Sequence, residues 1–299
     1  CRPFNRIYRE GGLFVKEPID AQGEELARRE AAWYRETQSR HFTNIPRIVS
    51  YKPLRMEYID GMPVYEACNL TAAEKGTLLC QIVGCLKSLQ ALKQAPTDRS
   101  SYHEAYIEKT FQRLQKVREL VPFAKDAFVT VNGRRCRNVF SCRDELELAM
   151  ERYIPAQFKL IHGDCTFSNI MLRSDKTPVL IDPRGYFGQT ELYGDPAYDW
   201  AKLYYSIVGN YDQFNRKRFF LDIEAESVTL KMASNGWEGM EETFFSLLEG
   251  EVTPRQIRLI HAVIWLSLTT YTWEDYDSIC GAFYNGLYYL EEALHEDVL

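Results

Sequence analysis

The sequence has no block of Lys and Arg, no long apolar run and no cysteine pair at metal-binding spacing, and each absence removes a class of function. Its 36 Lys and Arg are scattered among 42 Asp and Glu, leaving a net charge of −6. Nucleic acid and anionic membrane surfaces are bound through clustered positive charge, so neither is an expected partner. The apolar runs, such as Ala262–Leu268, fall well short of the ~20 residues that cross a bilayer, and no membrane insertion is expected. The eight cysteines are dispersed, with no Cys-x-x-Cys and no zinc-type spacing with His. They read as reduced, mostly buried thiols, which places the expected compartment in the cytoplasm.

What is present suits a globular enzyme. A hydrophobic fraction of 45% over 299 residues is enough for one two-lobed unit or two modest domains with their own cores. The chain opens at Cys1 and enters almost directly into strand-like sequence. Upstream residues, or a fused or associated upstream domain, are therefore expected.

Arg6–Tyr8 and Leu13–Val15 read as short strands about Glu10-Gly11-Gly12, since glycine supplies the positive φ of a tight turn. Residues 24–37 read as a helix rich in Ala, Glu and Arg, and Arg47–Tyr51 with Leu54–Tyr58 as a second strand pair. Thr71–Lys93 is a long helix opened by a capping box, Thr71 with Glu74. His103–Leu120 reads as one helix, Ala127–Phe140 as a hairpin turning at Asn132-Gly133, and Arg143–Tyr153 as a further helix. Phe158–Ile161 and Pro178–Ile181 are short apolar strands flanking a polar stretch. After Asp195 the chain reads as helical to its end, most clearly over Trp200–Val208, Pro254–Tyr271 and Glu274–His295.

The polar stretch carries the chemistry. It runs His162-Gly163-Asp164-Cys165-Thr166-Phe167-Ser168-Asn169, and Asp182 follows within Ile181-Asp182-Pro183-Arg184-Gly185. A first Asp can accept the proton of an attacking hydroxyl. An Asn amide oxygen and a second carboxylate can hold Mg²⁺ against a triphosphate, and hard oxygen ligands suit that ion. Phosphoryl transfer asks a protein for little beyond such positioning and charge neutralisation. A polar turn between strands would account for Asp and Asn separately. It does not account for two acids, an Asn and a His at this spacing between apolar strands.

His-Gly-Asp-x-x-x-x-Asn followed by Ile-Asp-Pro-Arg-Gly resembles the aminoglycoside phosphotransferase and choline kinase superfamily, small-molecule relatives of protein kinases. The resemblance covers nearly the whole chain, and residues 160–200 are its specific part. It implies an α+β, bilobal, protein-kinase-like fold, with a small β-rich nucleotide-binding lobe over residues 1–60 and a larger α-rich catalytic and substrate-binding lobe over residues 61–299. It implies a kinase that moves the γ-phosphate of ATP or GTP onto a small-molecule hydroxyl. Asp164 is then the catalytic base, and Asn169 and Asp182 are the Mg²⁺ ligands. Lys16 would hold the α/β-phosphates, Glu30 would pair with Lys16, and Glu57 and Ile59 would offer main-chain groups to the base of the nucleotide.

Further matches and departures narrow that expectation. Gly194-Asp195-Pro196-Ala197-Tyr198-Asp199 matches a family element in which Asp199 is expected to cap the following helix and tie it to the catalytic loop. His162 is expected to brace that loop, and Arg184 stays open between ligand binding and pairing with an acid. No Gly-rich phosphate loop is visible, and Cys1–Asn5 is its expected remnant. Asp-Phe-Gly and Ala-Pro-Glu do not follow the catalytic loop, which argues against a protein substrate. Pro183-Arg184-Gly185 stands where choline kinases carry an aromatic and a Glu, so the segment looks more like streptomycin-type and ketosamine kinases. Phe187–Tyr211 resembles kinase-like proteins associated with bacterial surface-polysaccharide genes, which implies a sugar, polyol or amino alcohol of surface-glycan precursor synthesis as acceptor. An aminoglycoside acceptor and a non-catalytic nucleotide-binding scaffold are the alternatives. Trp265, Tyr271 and the run Trp273–Asp277 could offer an acidic-aromatic surface to a cationic or polyhydroxylated ligand. A solvated helix start with core aromatics is the preferred reading of that run.

Overall fold

The computed structural model describes residues 4–270 and 275–295. Residues 1–3 of the expected loop remnant Cys1–Asn5, and the residues Tyr271, Trp273 and Glu274, lie outside the described residues. Two compact units emerge from the chain's internal contacts, residues 1–97 with 157–199, and residues 98–156 with 200–299.

The first unit opens with β1 (Asn5–Glu10) and β2 (Leu13–Pro18), paired antiparallel with Glu10 opposite Leu13. Gly11 and Gly12 take φ of 56° and 79°, the two positive values a type I′ hairpin needs. α1 (Ala21–Ser39) follows, capped by Asp20, whose carboxylate accepts from the Gly23 N–H. β3 (Ile48–Tyr51) and β4 (Leu54–Glu57) complete a four-stranded antiparallel sheet in the order β1-β2-β4-β3. Val15, Leu54 and Met56 from the sheet and Ala31, Trp33 and Tyr34 from α1 are buried. Each large apolar side chain so buried contributes roughly 1.5–3 kcal/mol.

β5 (Gly61–Pro63) leaves this sheet and pairs with Ile170–Arg173, which also pairs with Pro178–Leu180. Only glycine fits at position 61, because a Cβ there would stand 1.8 Å from the Leu172 carbonyl oxygen. α2 (Ala72–Ala91) begins with the expected capping box, Thr71 and Glu74 each holding the other's main-chain N–H. β6 (Gln94–Pro96) and Tyr193–Gly194 flank Gln157–Leu160 in a three-stranded antiparallel sheet. Gln157–Leu160 and Ile170–Arg173, the strands on either side of the loop, are thus each paired on both edges.

The second unit departs from its sequence reading in two places. The expected helix over His103–Leu120 is divided into Arg99–His103, a wide π turn over Glu104–Glu108, and Lys109–Val117. The run after Asp195 is not helical throughout, because Phe219–Ile223 and Ser227–Met232 are strands. They join Phe128–Val131 and Arg134–Arg137 in one four-stranded sheet, with Ser227–Met232 parallel to Phe128–Val131. The strand signal was the alternation of buried Val228 and Leu230 with Thr229 and Lys231. Asn132, at φ 51° in the expected hairpin turn, bonds this strand as if it were one of its neighbours. Its N–H donates to the Val228 carbonyl, its amide to the Leu230 carbonyl, and its amide oxygen accepts from Leu230 N–H. The helices Pro254–Leu268 and Tyr276–His295 pack closely, since a Cβ at Gly286 would stand 2.6 Å from Leu266 Cδ2, and Leu259, Ile260, Val263, Phe283 and Leu287 on them are buried.

Candidate active site

Lys16 sits near the end of β2, opposite Ile7 on one side and Leu54 on the other. Its ammonium donates to Glu30 Oε2 at 2.7 Å and to Asp182 Oδ1 at 2.8 Å. Lys16 and Glu30 are nearly buried, while the Asp182 side chain is 46% exposed. Burial alone would pull the lysine pKa down, but the Glu30 and Asp182 carboxylates outweigh it and hold the pKa above its ordinary value. Lys16 is therefore a fixed cation. Asp182 has φ 53°, a left-handed conformation that Asp tolerates better than most residues, and it follows immediately on the strand pairing of Pro178–Leu180.

Asp164 and Asn169 form the second cluster. The Asn169 amide N–H₂ donates to the Asp164 main-chain carbonyl at 2.8 Å and to Asp164 Oδ2 at 3.1 Å. Both donors are thus turned toward Asp164, and the Asn169 amide oxygen keeps its lone pairs for another partner. Main-chain bonds join the clusters, since Ile181 N–H donates to the Asn169 carbonyl at 3.0 Å.

His162 closes the arrangement from beneath. Its Nδ1 accepts from the Asp164 N–H at 3.2 Å, so the ring proton is on Nε2 and donates to the Ile181 carbonyl at 2.9 Å. Burial lowers its pKa despite the nearby carboxylates of Asp199 and Asp164, so the ring is neutral and both nitrogens are used in bracing. Asp199 is fully buried; Oδ2 accepts from His162 N–H at 2.9 Å and Oδ1 from Gly163 N–H at 2.7 Å. Its pKa is raised by burial, against the pull of those hydrogen bonds. The tie to the loop is present, but the cap is not Asp199. The helix Pro196–Ile207 contains Asp199, and Asp195 caps it by accepting from Ala197 N–H at 2.9 Å.

Glu57 and Ile59 stand at the end of β4 and just beyond it. The Glu57 N–H donates to the Arg47 carbonyl, and its carboxylate takes both the Arg47 N–H and the Arg173 guanidinium. Arg173 and that N–H hold the Glu57 carboxylate below its usual pKa. The Ile59 main chain makes no hydrogen bond with the described residues.

Trp33 and the contact between Arg184 and Tyr198 escaped the sequence reading. Trp33 is buried on α1, three residues after Glu30 and so on the same helical face, and its Nε1–H donates to the Ile161 carbonyl at 2.8 Å. Its ring meets His162 edge-on at 5.7 Å. Tyr198 receives a hydrogen bond from Arg184 at 3.1 Å. The spacing of Trp33 from Glu30 was the available signal for the first. Nothing local marks the second. Trp265, a candidate substrate contact, is fully buried among Tyr205, Phe214 and His261.

The oxygens of Asp182 and Asn169 fit a hard cation such as Mg²⁺. Among the described residues there is no group of three or more His, Cys, Asp or Glu that could hold a metal alone.

Comparison with known proteins gives the fold and the family. No curated protein matches the chain in sequence. Among solved structures, a choline/ethanolamine kinase family protein from Mesorhizobium loti superposes with a TM-score of 0.59 at 14% identity, covering 98% of this chain and 90% of its own. An ADP-bound aminoglycoside phosphotransferase, APH(2'')-Ib, gives 0.59 at 16% identity, with 97% and 94% covered. A glucosamine kinase in complex with glucosamine, ADP and inorganic phosphate gives 0.60 at 12% identity, with 98% and 81% covered. These likenesses share the α+β fold of kinase-like small-molecule enzymes. The model of the phosphotransferase enzyme family matches residues 4–240. The chain therefore belongs to the phosphotransferase enzyme family and is a small-molecule kinase.

Proposed function

We propose that this kinase transfers the γ-phosphate of ATP or GTP directly to a hydroxyl of a sugar, polyol or amino alcohol, with Asp164 as base. The observation that carries the reading is the coupled pair of clusters, Lys16–Glu30–Asp182 and Asp164–Asn169, joined through Ile181. Lys16, fixed by Glu30, offers its charge to the α/β-phosphates. Asp182 and Asn169 present oxygens to Mg²⁺, which when bound neutralises charge on the triphosphate oxygens. Lys16 then exchanges its bond to Asp182 for the phosphates. The Asn169 amide orients the Asp164 carboxylate, which accepts the acceptor's proton as the new P–O bond forms. The Glu57 carbonyl and the Ile59 main chain are the groups left to hydrogen-bond the base of the nucleotide.

The names of structural neighbours support the acceptor class: choline, ethanolamine, aminoglycosides and glucosamine each carry a hydroxyl and a cationic nitrogen. An acceptor from surface-glycan precursor synthesis falls within it. The aminoglycoside reading is the narrower alternative, and a non-catalytic scaffold is opposed by the occupied positions Lys16, Asp164, Asn169 and Asp182.

The test is ADP or GDP release with Mg²⁺ against a panel of sugars, polyols, choline, ethanolamine and aminoglycosides. Acceptor-dependent release is expected with one of the hydroxylated compounds. Tight Mg²⁺-nucleotide binding with no release for any of them would favour the scaffold.

A further inference from the structure

Arg184 is a charged side chain of the catalytic segment to which the reaction above assigns no part. Its main-chain N–H donates to the His162 carbonyl at 2.8 Å. Its stem lies on Gly163: a Cβ at that residue would stand 2.9 Å from Arg184 Cβ and 3.5 Å from its Cδ. The guanidinium donates to the hydroxyls of Tyr198 at 3.1 Å and Tyr186 at 2.9 Å, and lies 4.4 Å from the centre of the Tyr186 ring. Tyr198 immediately precedes Asp199, whose carboxylate takes the N–H groups of His162 and Gly163. The two residues before Asp164 are thus gripped from two directions. Asp199 holds their N–H groups, Arg184 holds the His162 carbonyl and covers Gly163, and Tyr198 links the two grips.

We propose that Arg184 is a positioning residue that sets the placement of Asp164, an inference that rests on Asp164 being the base. A planar guanidinium spanning two phenols fixes more geometry than a point charge, so lysine is a poor replacement. Tyr186 extends the same framework to α1, since the Arg29 guanidinium lies 4.5 Å from its ring centre and Arg29 precedes Glu30.

The test uses the whole chain carrying Arg184→Met or Arg184→Lys, beside wild type and Asp164→Ala. Hydrogen–deuterium exchange, which needs no acceptor, reads the loop directly. In Arg184→Met, exchange over residues 161–169 is expected to rise about tenfold while residues 5–18 keep wild-type protection. With an acceptor that supports turnover, kcat is expected to fall about 100-fold with the nucleotide KM within about twofold, and lysine to recover only part of the loss. Unchanged exchange over residues 161–169 would overturn the inference. So would a raised acceptor KM at unchanged kcat, which would make Arg184 a substrate ligand. If Arg184→Met unfolds, exchange rises everywhere. Tyr198→Phe, which removes one hydroxyl, then takes its place and is expected to loosen the same loop alone. Turnover by Asp164→Ala would sink the base assignment whatever the exchange data say, so the two failures are told apart.

Discussion

Two buried histidines show how differently the two units use the same side chain. His162 in the first unit has a hydrogen-bond partner on each ring nitrogen and three carboxylates acting on it, those of Asp199, Asp164 and Asp182. His261 in the second lies among Tyr204, Tyr205, Trp265 and Tyr289. Its Nε2 accepts from the Trp265 indole N–H at 2.9 Å, and its Nδ1 has no hydrogen-bond partner among the described residues. Burial drives the His261 pKa down to about 3, with no carboxylate opposing it. Around His162, buried polar groups position one another. Around His261, aromatic rings pack together and one ring donor stays unsatisfied among the described residues. Turnover is assigned to the first arrangement and stability to the second.

His162→Ala is the strongest challenge to that contrast. It frees the Asp164 N–H and the Ile181 carbonyl together, so kcat is expected to fall about 100-fold, whereas His261→Gln should leave kcat near wild type. Steady-state assays of both variants check this. Equal losses would erase the distinction. Gly163→Ala comes next. Its φ of 80° and the 2.9 Å approach to Arg184 Cβ leave no place for a methyl group. A loss of about 2 kcal/mol is expected in denaturant unfolding, with turnover impaired as well.

The third prediction concerns acid. The folded-state pKa of His261 lies below its ordinary value of 6.5, so the unfolded chain binds the proton first. Its contribution is fully present above pH 6.5 and is lost toward pH 3, at up to about 1.4 kcal/mol per pH unit. His261→Gln should flatten the fall in unfolding free energy across that window, and an unchanged slope would assign acid sensitivity elsewhere. The smallest effect is expected at Thr71→Ala. It removes half of a capping box in the first unit and should cost about 1 kcal/mol without touching kcat. A large loss of activity there would mean that the site depends on stability in general.

Residues that are local to one another were legible in the sequence. Asp164, Asn169 and Asp182 share one strand–loop–strand segment, so their spacing conveyed their proximity. Lys16 and Glu30 were legible because a strand and the next helix bring them together with little choice. Contacts between distant segments were not. Trp33 meets Ile161 across 128 positions of chain, and nothing around either residue names the other. The strand Ser227–Met232 pairs in parallel with residues about a hundred positions earlier, and this long-range pairing overrode the helical reading of that region. The cap was misassigned because Asp195 and Asp199 both begin a helix in sequence, and only the hydrogen bonds separate capping from tying.

The most direct test of the central claim measures turnover and Mg²⁺-dependent nucleotide binding side by side for wild type, Asp164→Ala and Asp182→Ala. Asp164→Ala is expected to lose about 10³-fold in turnover while binding nucleotide nearly as wild type does. Asp182→Ala is expected to weaken metal-dependent binding as well. Near-wild-type turnover by Asp164→Ala would contradict the account, because the carboxylate that Asn169 holds, on a residue whose N–H His162 anchors, would then not be the base.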